Sequence, residues 1–389
     1  MPPRPKILVV ALELFWVGIA RLPKALQAAG FEVGVLCFKD SGLAATRFCD
    51  CRFFWPASRR GGALAGALQA VVQAWQPDFS VAGDELTAVF LSRVFEKSHP
   101  RGELARLLKS SLGRPAALRE ATSKRLTMET ARRLGIRVPA SQWVQAEEEI
   151  FQFTRRSGFP VVLKKSFGWA GTQVAVCRDE AEAAAVFGGW SRQPPLRRRF
   201  RSWRKVLQGR ELATRWLPAD RTITVSQFIP GRLTMSQAAA FGGETLAIIT
   251  AGKEHGSPEA GPSSVVRFIH SQEMRRATEK MIGAWGLSGF IGFDFIQGAD
   301  GFPWLIECNP RPTPIAHLGA RVGEDVCRAL YCRLTGELRP RLAQEAGLVV
   351  AHFPREQLRD PNSPYLTSAF HDVPVDDPDL LQKLSESRG

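Results

Sequence analysis

The segment that most constrains the fold of this chain is residues 289–309, GFIGFDFIQGADGFPWLIECN. Two runs rich in aromatic and apolar residues flank Asp300-Gly301. An Asp-Gly pair favours a two-residue β-hairpin turn, because both central positions of that turn need positive φ. If these two residues form the loop, Asp294 lies directly opposite Glu307. The sequence therefore predicts an antiparallel hairpin that pairs two carboxylates.

The alternation of side chains along the two strands divides this hairpin into two faces. Asn309 shares the face of the two acids, because side chains of a strand alternate with a period of two. The residues predicted to point the other way, into a core, are Phe293, Phe295, Ile306 and Cys308. One face is thus polar and the other apolar.

Facing carboxylates repel each other, and the pairing is destabilising unless a positive charge lies between them. Oxygen ligands suit a hard cation such as Mg²⁺, with Mn²⁺ as the alternative, whose remaining positions go to phosphates and water. A solvated sheet face with incidental acids is the competing interpretation. We favour a metal site formed by Asp294, Glu307 and Asn309, because the opposite face is apolar and the amide has the right parity. Arg311 follows on the same side and could hold a phosphate or carboxylate, or form a salt bridge with one of the acids.

The first 115 or so residues follow a different pattern, in which strands alternate with helices. The predicted elements are strands at 6–12 and 31–38, helices around 19–29 and near 62–75, and a strand that runs into a helix within 76–90. Such alternation indicates βαβ units and a parallel sheet with helices on its faces. Ligands of these sheets bind at the carboxyl ends of the strands. Asp84 and Glu85 lie at one such end, where Asp84 is expected to cap the following helix.

Beyond this region the pattern changes to α+β. Residues 123–134 predict a helix that begins at Ser123 as N-cap and ends at Gly135. Short strands with hairpin turns follow. They are predicted at FPVVLKK (159–165), TQVAVCR (172–178), ITVSQFI (223–229) and, near the end, GLVVAHF (347–353).

Two lysines and a glycine-bearing loop suggest an anion site. Lys164 ends the strand VVLK, and Gly168 and Gly171 in the next loop allow backbone N–H groups to approach an anion closely. The loop matches neither a Walker A loop nor a G-x-G-x-x-G fingerprint, and a solvated strand edge is the alternative role of the lysine. Lys124 lies at a helix start, where the helix dipole disfavours a cation, which hints at an anionic partner.

These segments, taken in order, resemble the ATP-grasp superfamily, and in particular its members of the carboxylate–amine ligase type. The segments are SKRLTMETARRLGIRVP, FPVVLKKSFGWAGTQV, VSQFIPG and the hairpin with its IECNPRP ending. The resemblance covers roughly residues 1–335. It implies an α/β pre-ATP-grasp domain with a parallel sheet at 1–115 and an α+β ATP-grasp domain at 116–335. Within the latter, a lid subdomain is expected at about 155–226 and the metal-binding part at about 231–335, with 336–389 as an extension packed on the body.

The resemblance also implies a function, namely an ATP- and Mg²⁺-dependent ligase. Such an enzyme activates a carboxylate as an acyl phosphate for attack by an amine or similar nucleophile and releases ADP and phosphate. The implied phosphate contacts are Lys124, Lys164 and the lid loop with Ser166, Gly168 and Gly171; the implied adenine contacts are Gln227, Phe228 and Ile229. Asp294, Glu307 and Asn309 match the magnesium ligands, and Arg311 matches the arginine beside the transferred phosphate.

The chain departs from the family pattern in places. Gln227 stands where an acid is usual, and Arg232 and Leu233 stand where a ribose-binding Glu is frequent. The run PTPIAHLG (312–319) lacks the Gln-Val-Glu-His of biotin carboxylases, which argues against that branch. Candidate substrate contacts are His317, for which a packed position is favoured, and Ser263 and Ser264.

The formal net charge of +14 raises the question of an anionic partner. Eight Lys and Arg residues with no acid lie between 192 and 210, within the predicted lid. Because the excess is local, nucleic acid is disfavoured relative to a solvated lid helix, an anionic membrane surface or an acidic macromolecule. Two rival functions follow: an ATP-binding sensor or scaffold without turnover, and a protein that binds anionic surfaces through its basic lid. An oligomer remains open.

The remaining composition is that of an ordinary globular protein. The seven cysteines are odd in number and scattered, which argues against a disulfide framework, and the close pair Cys49 and Cys51 is interpreted as structural. The sequence shows neither a run long enough to cross a bilayer nor a signal peptide cleavage site. A cytoplasmic location is therefore expected.

Overall fold

The computed structural model describes residues 3–14, 17–58, 61–165, 174–191, 222–256, 263–339 and 345–386. None of the helices in these ranges is long and apolar enough to span a membrane.

The N-terminal unit is a four-stranded parallel sheet with the strand order β3-β2-β1-β4. Its elements in chain order are β1 (Lys6–Val10), α1 (Leu22–Ala29), β2 (Glu32–Cys37), α2 (Gly42–Ala45), β3 (Cys51–Phe54), α3 (Gly61–Trp75), β4 (Phe79–Ala82), α4 (Glu85–Lys97), α5 (Glu103–Leu112) and α6 (Pro115–Thr122). A 3₁₀ helix (Val17–Arg21) precedes α1, so the α-helix expected around 19–29 begins only at Leu22. The predicted α/β parallel-sheet domain is confirmed.

Strand β1 explains why this region reads as a continuous apolar run. Ile7 and Val9 pack into a core on one face of the sheet, whereas Leu8 and Val10 pack into the core on the other. All four side chains are fully buried. A parallel strand covered on both faces needs no polar alternation.

A helix and a small antiparallel sheet follow. They comprise α7 (Lys124–Arg133), β5 (Ser141–Val144), α8 (Glu147–Ser157), β6 (Val161–Lys165), β7 (Val174–Cys177), α9 (Glu180–Ser191) and β8 (Ile223–Gln227), with the sheet order β5-β8-β6-β7. Ser123 caps α7 as predicted, since its side chain accepts a hydrogen bond from the Leu126 N–H at 3.4 Å. Because β5 joins the sheet, the sheet begins earlier in the chain than the lid boundary of about 155 predicted from the sequence.

A seven-stranded sheet forms the larger part of the second half. Its elements are β9 (Gly231–Phe241), β10 (Glu244–Gly256), β11 (Ser263–Ile269), α10 (Gln272–Trp285), β12 (Gly289–Gly298), β13 (Pro303–Asn309), a 3₁₀ helix (Ala316–Val322), α11 (Val326–Thr335), β14 (Val349–Ala351), α12 (Arg355–Arg359), α13 (Tyr365–Ser368), β15 (Phe370–His371) and α14 (Pro378–Glu386). The order is β13-β12-β9-β10-β11-β14-β15, antiparallel except for the last pair. The predicted α+β architecture is confirmed.

The C-terminal segment, residues 345–386, lies against both halves of the molecule. Strand β14 extends the large sheet by pairing with β11. Leu380 and Leu384 of α14 pack against Ala20 in the N-terminal unit. The Asp377 carboxylate accepts a hydrogen bond from the Thr46 hydroxyl at 2.6 Å. The segment therefore connects the N-terminal sheet to the large sheet.

Candidate active site

The hairpin β12–β13 places Asp294 directly opposite Glu307, as the sequence predicts. The turn, however, differs from the prediction. Gly301 N–H bonds to Gly298 C=O and Gly298 N–H to Phe302 C=O, both at 2.9 Å. Among the residues of this turn, only Gly301 has positive φ, +78°, so three residues (299–301) form the loop, and the expected two-residue turn is wrong. A type I turn followed by one left-handed glycine is a common three-residue hairpin.

A bulge restores the register that this longer loop would shift. Phe295 pairs with Leu305 while Asp294 pairs with Glu307, so Ile306 is the extra residue on its strand. Phe293, Phe295 and Cys308 are buried as predicted. The prediction for Ile306 is wrong, because its side chain lines the cleft beside the acids instead of the core.

Asn309 and Arg311 extend the polar face of the hairpin. The Asn309 amide donates to the Asp294 carboxylate, with Nδ2 3.0 Å from Oδ2. Its own carbonyl oxygen accepts from Arg311, with Nη2 3.2 Å from Oδ1. The structure thus brings the acid, the amide and the guanidinium together in one hydrogen-bonded row.

The loop that follows Arg311 is held by a buried amide from the neighbouring strand β9. The Thr313 N–H donates to Gln237 Oε1 at 2.6 Å. Thr313 also packs closely against Gly292 of β12, since a Cβ on Gly292 would lie only 2.3 Å from the Thr313 methyl carbon. Gly292 is therefore required by the approach of this loop to the sheet.

The two predicted lysines approach the acids from the other side. Lys124 Nζ lies 3.4 Å from Glu307 Oε1. Lys124, Lys164 and Ile306 line a cleft of about 580 Å³ between α7 and the small sheet. On the face of the small sheet toward this cleft are Trp143, Thr224 and Ser226. Lys124 thus both lines the cleft and contacts Glu307. We call Lys124 and Lys164 the basic wall, and the facing acids Asp294 and Glu307 next to it the acidic wall.

The charges of the two walls shift each other. Burial, and next the Glu307 charge, raise the pKa of Asp294 to about 7. Burial, and next the Lys124 charge, lower the pKa of Lys164 to about 8, although both acids oppose that shift. Each wall thus carries groups that resist charging, and an ion of opposite sign bound to either wall would relieve the cost.

Glu85 is a site residue to which the sequence assigned no role beyond its position at a strand end. It is buried, and burial together with the Glu307 charge raises its pKa to about 7 against the opposing charges of Arg311 and Lys124. Its neighbour Asp84 caps α4 as predicted, since Oδ1 accepts from the Thr87 N–H at 2.7 Å. The N-terminal unit therefore contributes a buried carboxyl group that interacts electrostatically with Arg311, Glu307 and Lys124.

The three candidate substrate contacts outside the hairpin have structural partners or lie in the core. His317 Nε2 lies 2.7 Å from Asp372 Oδ2, and its side chain is packed as favoured. Ser264 donates to Glu356 Oε2 at 2.6 Å. Ser263 is buried, and its hydroxyl finds no hydrogen-bond partner within the described ranges.

The predicted adenine segment connects the two sheets. Gln227 ends β8, where its N–H bonds to Ala140 C=O at 2.8 Å, and Phe228 and Ile229 lead into β9. Arg232 does not reproduce a carboxylate at the ribose position; its Nη2 bonds to Glu254 Oε1 at 2.9 Å. Ser166, Gly168, Gly171 and the basic stretch 192–210 lie outside the described residues.

Asp294, Glu307 and Asn309 offer the oxygen donors that a magnesium ion requires. In the described part of the chain, no three or more His, Cys, Asp or Glu side chains converge as a metal group. A magnesium site would thus rest on two carboxylates and the Asn309 amide. Facing carboxylates with a raised Asp294 pKa suit a hard cation that keeps several waters or phosphate oxygens.

Comparison with known proteins identifies the central part of the chain. Residues 121–314 match the ATP-grasp domain family. This segment is an ATP-grasp domain. It contains both lysines, the facing acids and Arg311, and the resemblance stated from the sequence is confirmed.

The curated relatives are much longer proteins. The carbamoyl phosphate synthase large chain of Thermus thermophilus is 36% identical over 89 residues, which cover 23% of this chain and 9% of that protein. The same protein from Rubrobacter xylanophilus is 25% identical over 225 residues, covering 53% of this chain and 19% of that protein. The chain thus spans less than a fifth of the length of these two relatives.

Solved structures with the same fold cover most of the chain. The biotin carboxylase domain of 2-oxoglutarate carboxylase from Hydrogenobacter thermophilus superposes with a TM-score of 0.61 at 15% identity, over 88% of this chain and 73% of that one. L-amino acid ligase from Bacillus licheniformis gives a TM-score of 0.58 at 15% identity, over 87% and 78%. At this identity the likeness shows the fold: an α/β N-terminal domain followed by an ATP-grasp domain.

Proposed function

We propose that this protein is an ATP- and Mg²⁺-dependent ligase that activates a carboxylate and joins it to an amine or similar nucleophile. The observation that carries the proposal is the pair of facing acids, Asp294 and Glu307, with Lys124 within 3.4 Å of the latter. An acidic wall that needs a cation and a basic wall that needs an anion match the two parts of a metal-bound nucleotide.

The residues fit the groups they would hold. Asp294, Glu307 and Asn309 would hold Mg²⁺, and Lys124 and Lys164 would contact the nucleotide phosphates. Gln227, Phe228 and Ile229 would contact the adenine. When bound, the metal supplies charge neutralisation for phosphoryl transfer.

The chain's own groups would position the reactants and neutralise charge. A carboxylate oxygen of the substrate attacks the terminal phosphorus of ATP, the bond to the bridging oxygen breaks, and ADP leaves. The amine then attacks the acyl carbon, the carbon–oxygen bond breaks, phosphate leaves, and the amine loses a proton. Arg311, held beside Asn309, would stabilise the transferred phosphoryl group, so no protein nucleophile is needed.

The relatives support this reaction class. By name, the curated relatives synthesise carbamoyl phosphate, and structures with the same fold include the L-amino acid ligase and a biotin carboxylase domain in complex with MgADP and bicarbonate. The names thus include a ligase of amino acids and a carboxylase domain that binds MgADP and bicarbonate, which agrees with the proposed reaction class.

The test is a screen for ADP release with pairs of carboxylates and amines, in which products are identified by mass. We expect Mg²⁺-dependent ADP release with a defined pair and a product whose mass equals the acid plus the amine less one water. Glu307→Gln should lower this release by about a hundredfold or more, since it removes an electrostatic contact used in phosphoryl transfer.

The matched control is Glu279→Gln, an exposed acid on α10. It should release ADP at the wild-type rate. Turnover of Glu307→Gln equal to that of the control would refute the metal assignment, and ADP release without any condensed product would refute the ligase.

A further inference from the structure

One aromatic side chain of the cleft has an open ring face. Phe54, Trp143 and Phe302 are the aromatic members of the exposed large apolar side chains in the described part of the chain. A basic group lies over the ring of Phe54, 5.5 Å from its centroid, and another over that of Phe302, at 3.7 Å. The side chain of Trp143 is 50% exposed and has no ring, cation–π or hydrogen-bond contact with any residue that the structure describes. Its indole is therefore available to a planar partner.

The pairing of the small sheet turns this indole toward the cleft. Trp143 on β5 lies opposite Thr224 on β8, which in turn lies opposite Lys164 on β6. Directly paired residues share one face of a sheet, and all three line the cleft. The other face is covered, because Val144 and Leu163 are buried in a core with residues of α8 and α9. Two strand spacings place Trp143 roughly 10 Å from Lys164 across the sheet.

The nucleotide of the proposed function would lie beside Trp143. Its phosphates would contact Lys164 on β6, and its adenine would contact the segment that starts at Gln227. Gln227 comes three residues after Thr224, which is about 10 Å further along β8. The nucleotide would thus follow β6 and β8, whereas Trp143 lies on the outer strand β5.

The side of the cleft opposite this indole is one face of α7. Lys124, Met128 and Arg132 follow each other at intervals of four residues, which places them on one helix face, and all three line the cleft. The Arg132 guanidinium connects α7 to β5, with Nη2 2.6 Å from Ser141 Oγ and 3.1 Å from the Pro139 carbonyl oxygen. We call the space between Trp143 on one side and Met128 and Arg132 on the other the aryl groove. An indole and a thioether on its two sides suit a flat aromatic ring.

The aryl groove leads to the facing acids through Lys124. Lys124 lies about 6 Å along the helix axis from Met128, and its Nζ is 3.4 Å from Glu307 Oε1. A ring held between Trp143 and Met128 would therefore bring a carboxylate on a short side chain to the basic wall.

We propose that the aryl groove binds the ring of the acid substrate and that this substrate is an arylalkanoic acid. Trp143 is then a specificity-determining residue, because it stacks on the ring and takes no part in phosphoryl transfer. The proposal rests on the proposed function for the activation of the carboxylate.

The test measures binding of simple acids to the full chain by isothermal titration calorimetry without nucleotide. Phenylacetate and phenylpropionate are compared with cyclohexylacetate and cyclohexylpropionate, which have the same chain lengths and a saturated ring. We expect the aryl acids to bind about fivefold tighter, the size of one aromatic pair. Trp143→Leu should abolish this preference, and Trp143→Phe should retain part of it.

Phe54→Leu, at an exposed aromatic of β3, is the matched control and should leave the preference unchanged. Thermal unfolding of each variant verifies that it is folded. Equal binding of aryl and saturated acids by the wild type, no binding of any of these acids, or an unchanged preference in Trp143→Leu would each overturn the proposal.

A second titration with Mg²⁺–ATP separates the acid ring from the nucleobase as the partner of Trp143. We expect the same Mg²⁺–ATP affinity in the wild type and in Trp143→Leu. A loss of Mg²⁺–ATP affinity in this variant, with no aryl preference in the wild type, would assign the indole to the nucleobase and overturn the proposal. Because the acid titration needs no turnover, failure of the aryl groove and failure of the ligase are distinguishable.

Discussion

The two walls of the cleft are formed in different ways. The acidic wall lies on a single hairpin, where Asp294 and Glu307 face each other across adjacent strands. The basic wall combines Lys124, from the start of α7, with Lys164, from the end of β6 in the small sheet. The first wall depends on local strand pairing, whereas the second exists only when two separate elements pack over the hairpin.

The electrostatics of the walls are opposite in sign. The pKa of Asp294 is raised to about 7, and that of Lys164 is lowered to about 8. Both shifts disfavour the charged form in the folded protein without ligand. Near neutral pH these groups therefore lower the free energy of unfolding of the ligand-free protein, and they favour the binding of oppositely charged groups. This pattern is frequent at functional sites.

The largest effect is expected at the acidic wall. The pKa of Asp294 is near 7 in the folded chain and near 3.8 in the unfolded chain, so the folded state holds the proton more tightly. The tighter proton binding by Asp294 stabilises the folded state at low pH, and this stabilisation is lost as pH rises from about 4 to about 7. At pH 8, Asp294→Asn should stabilise the metal-free protein by on the order of 3 kcal/mol, and by little at pH 4.

Urea unfolding at both pH values checks this, with Asp379→Asn, an exposed acid of α14, as the control. An equal change in the free energy of unfolding at pH 4 and pH 8 would contradict the raised pKa of Asp294, and with it the electrostatic contrast between the two walls.

A second variant tests how the hairpin depends on its neighbours. Gly292→Ala places a Cβ 2.3 Å from the Thr313 methyl carbon, so it should lower the free energy of unfolding by about 2 kcal/mol through overpacking. Gly66→Ala, inside helix α3 with open space around it, should instead raise stability by about 1 kcal/mol. Both values are measured by denaturant titration, and a neutral Gly292→Ala would mean that the loop after Arg311 can move freely.

The basic wall is tested by Lys164→Met. We expect Mg²⁺–ATP affinity to fall by about tenfold, the loss of one charge-assisted contact. Thermal stability of the ligand-free protein at pH 7 should rise. The pKa of Lys164 is about 8 in the folded chain and 10.5 in the unfolded chain, so the unfolded chain binds the proton more tightly, and stability is lost as pH falls from 10.5 to about 8. Removing the lysine removes this loss. The exposed Lys109→Met is the control for both measurements. Tighter nucleotide binding by Lys164→Met would contradict its assignment.

The smallest effect concerns the contact between the walls. Lys124 and Glu307 form an ion pair at 3.4 Å with side chains 15% and 29% exposed. A double-mutant cycle with Lys124→Met and Glu307→Gln should give a coupling of about 1 kcal/mol in the free energy of unfolding. A coupling of zero would mean that the two walls are energetically independent in the ligand-free protein.

Much of the hairpin could be predicted from its residues, because strand alternation and turn chemistry are local. The prediction reached the right pair, Asp294 and Glu307, although the loop has three residues and Ile306 forms a bulge. The extra loop residue shifts the pairing by one position, and the bulge shifts it back before the acids. The predicted pairing is therefore correct at Asp294 and Glu307 but wrong between the loop and the acids, so the sequence predicts the wrong face for Ile306. Bulges depend on contacts outside the hairpin, so its own sequence does not reveal them.

The C-terminal segment shows the opposite limit. The sequence predicts the strand at 347–353 but gives Asp372 no role, because no local pattern relates it to Arg21 or His317. The structure brings Asp372 to both residues, with Oδ1 2.6 Å from Arg21 Nη2 and Oδ2 2.7 Å from His317 Nε2. Contacts between residues more than three hundred positions apart cannot be derived from periodicity.

The sequence by itself determined the parallel sheet at the start of the chain, the helix capped by Ser123 and the facing acids at Asp294 and Glu307, since short-range periodicity and capping set each of them. Only the tertiary structure decided that Lys124 reaches Glu307 and that Glu85 is buried where it interacts electrostatically with Arg311 and Glu307. The reason is that the charge and burial of these groups depend on the packing of separate elements.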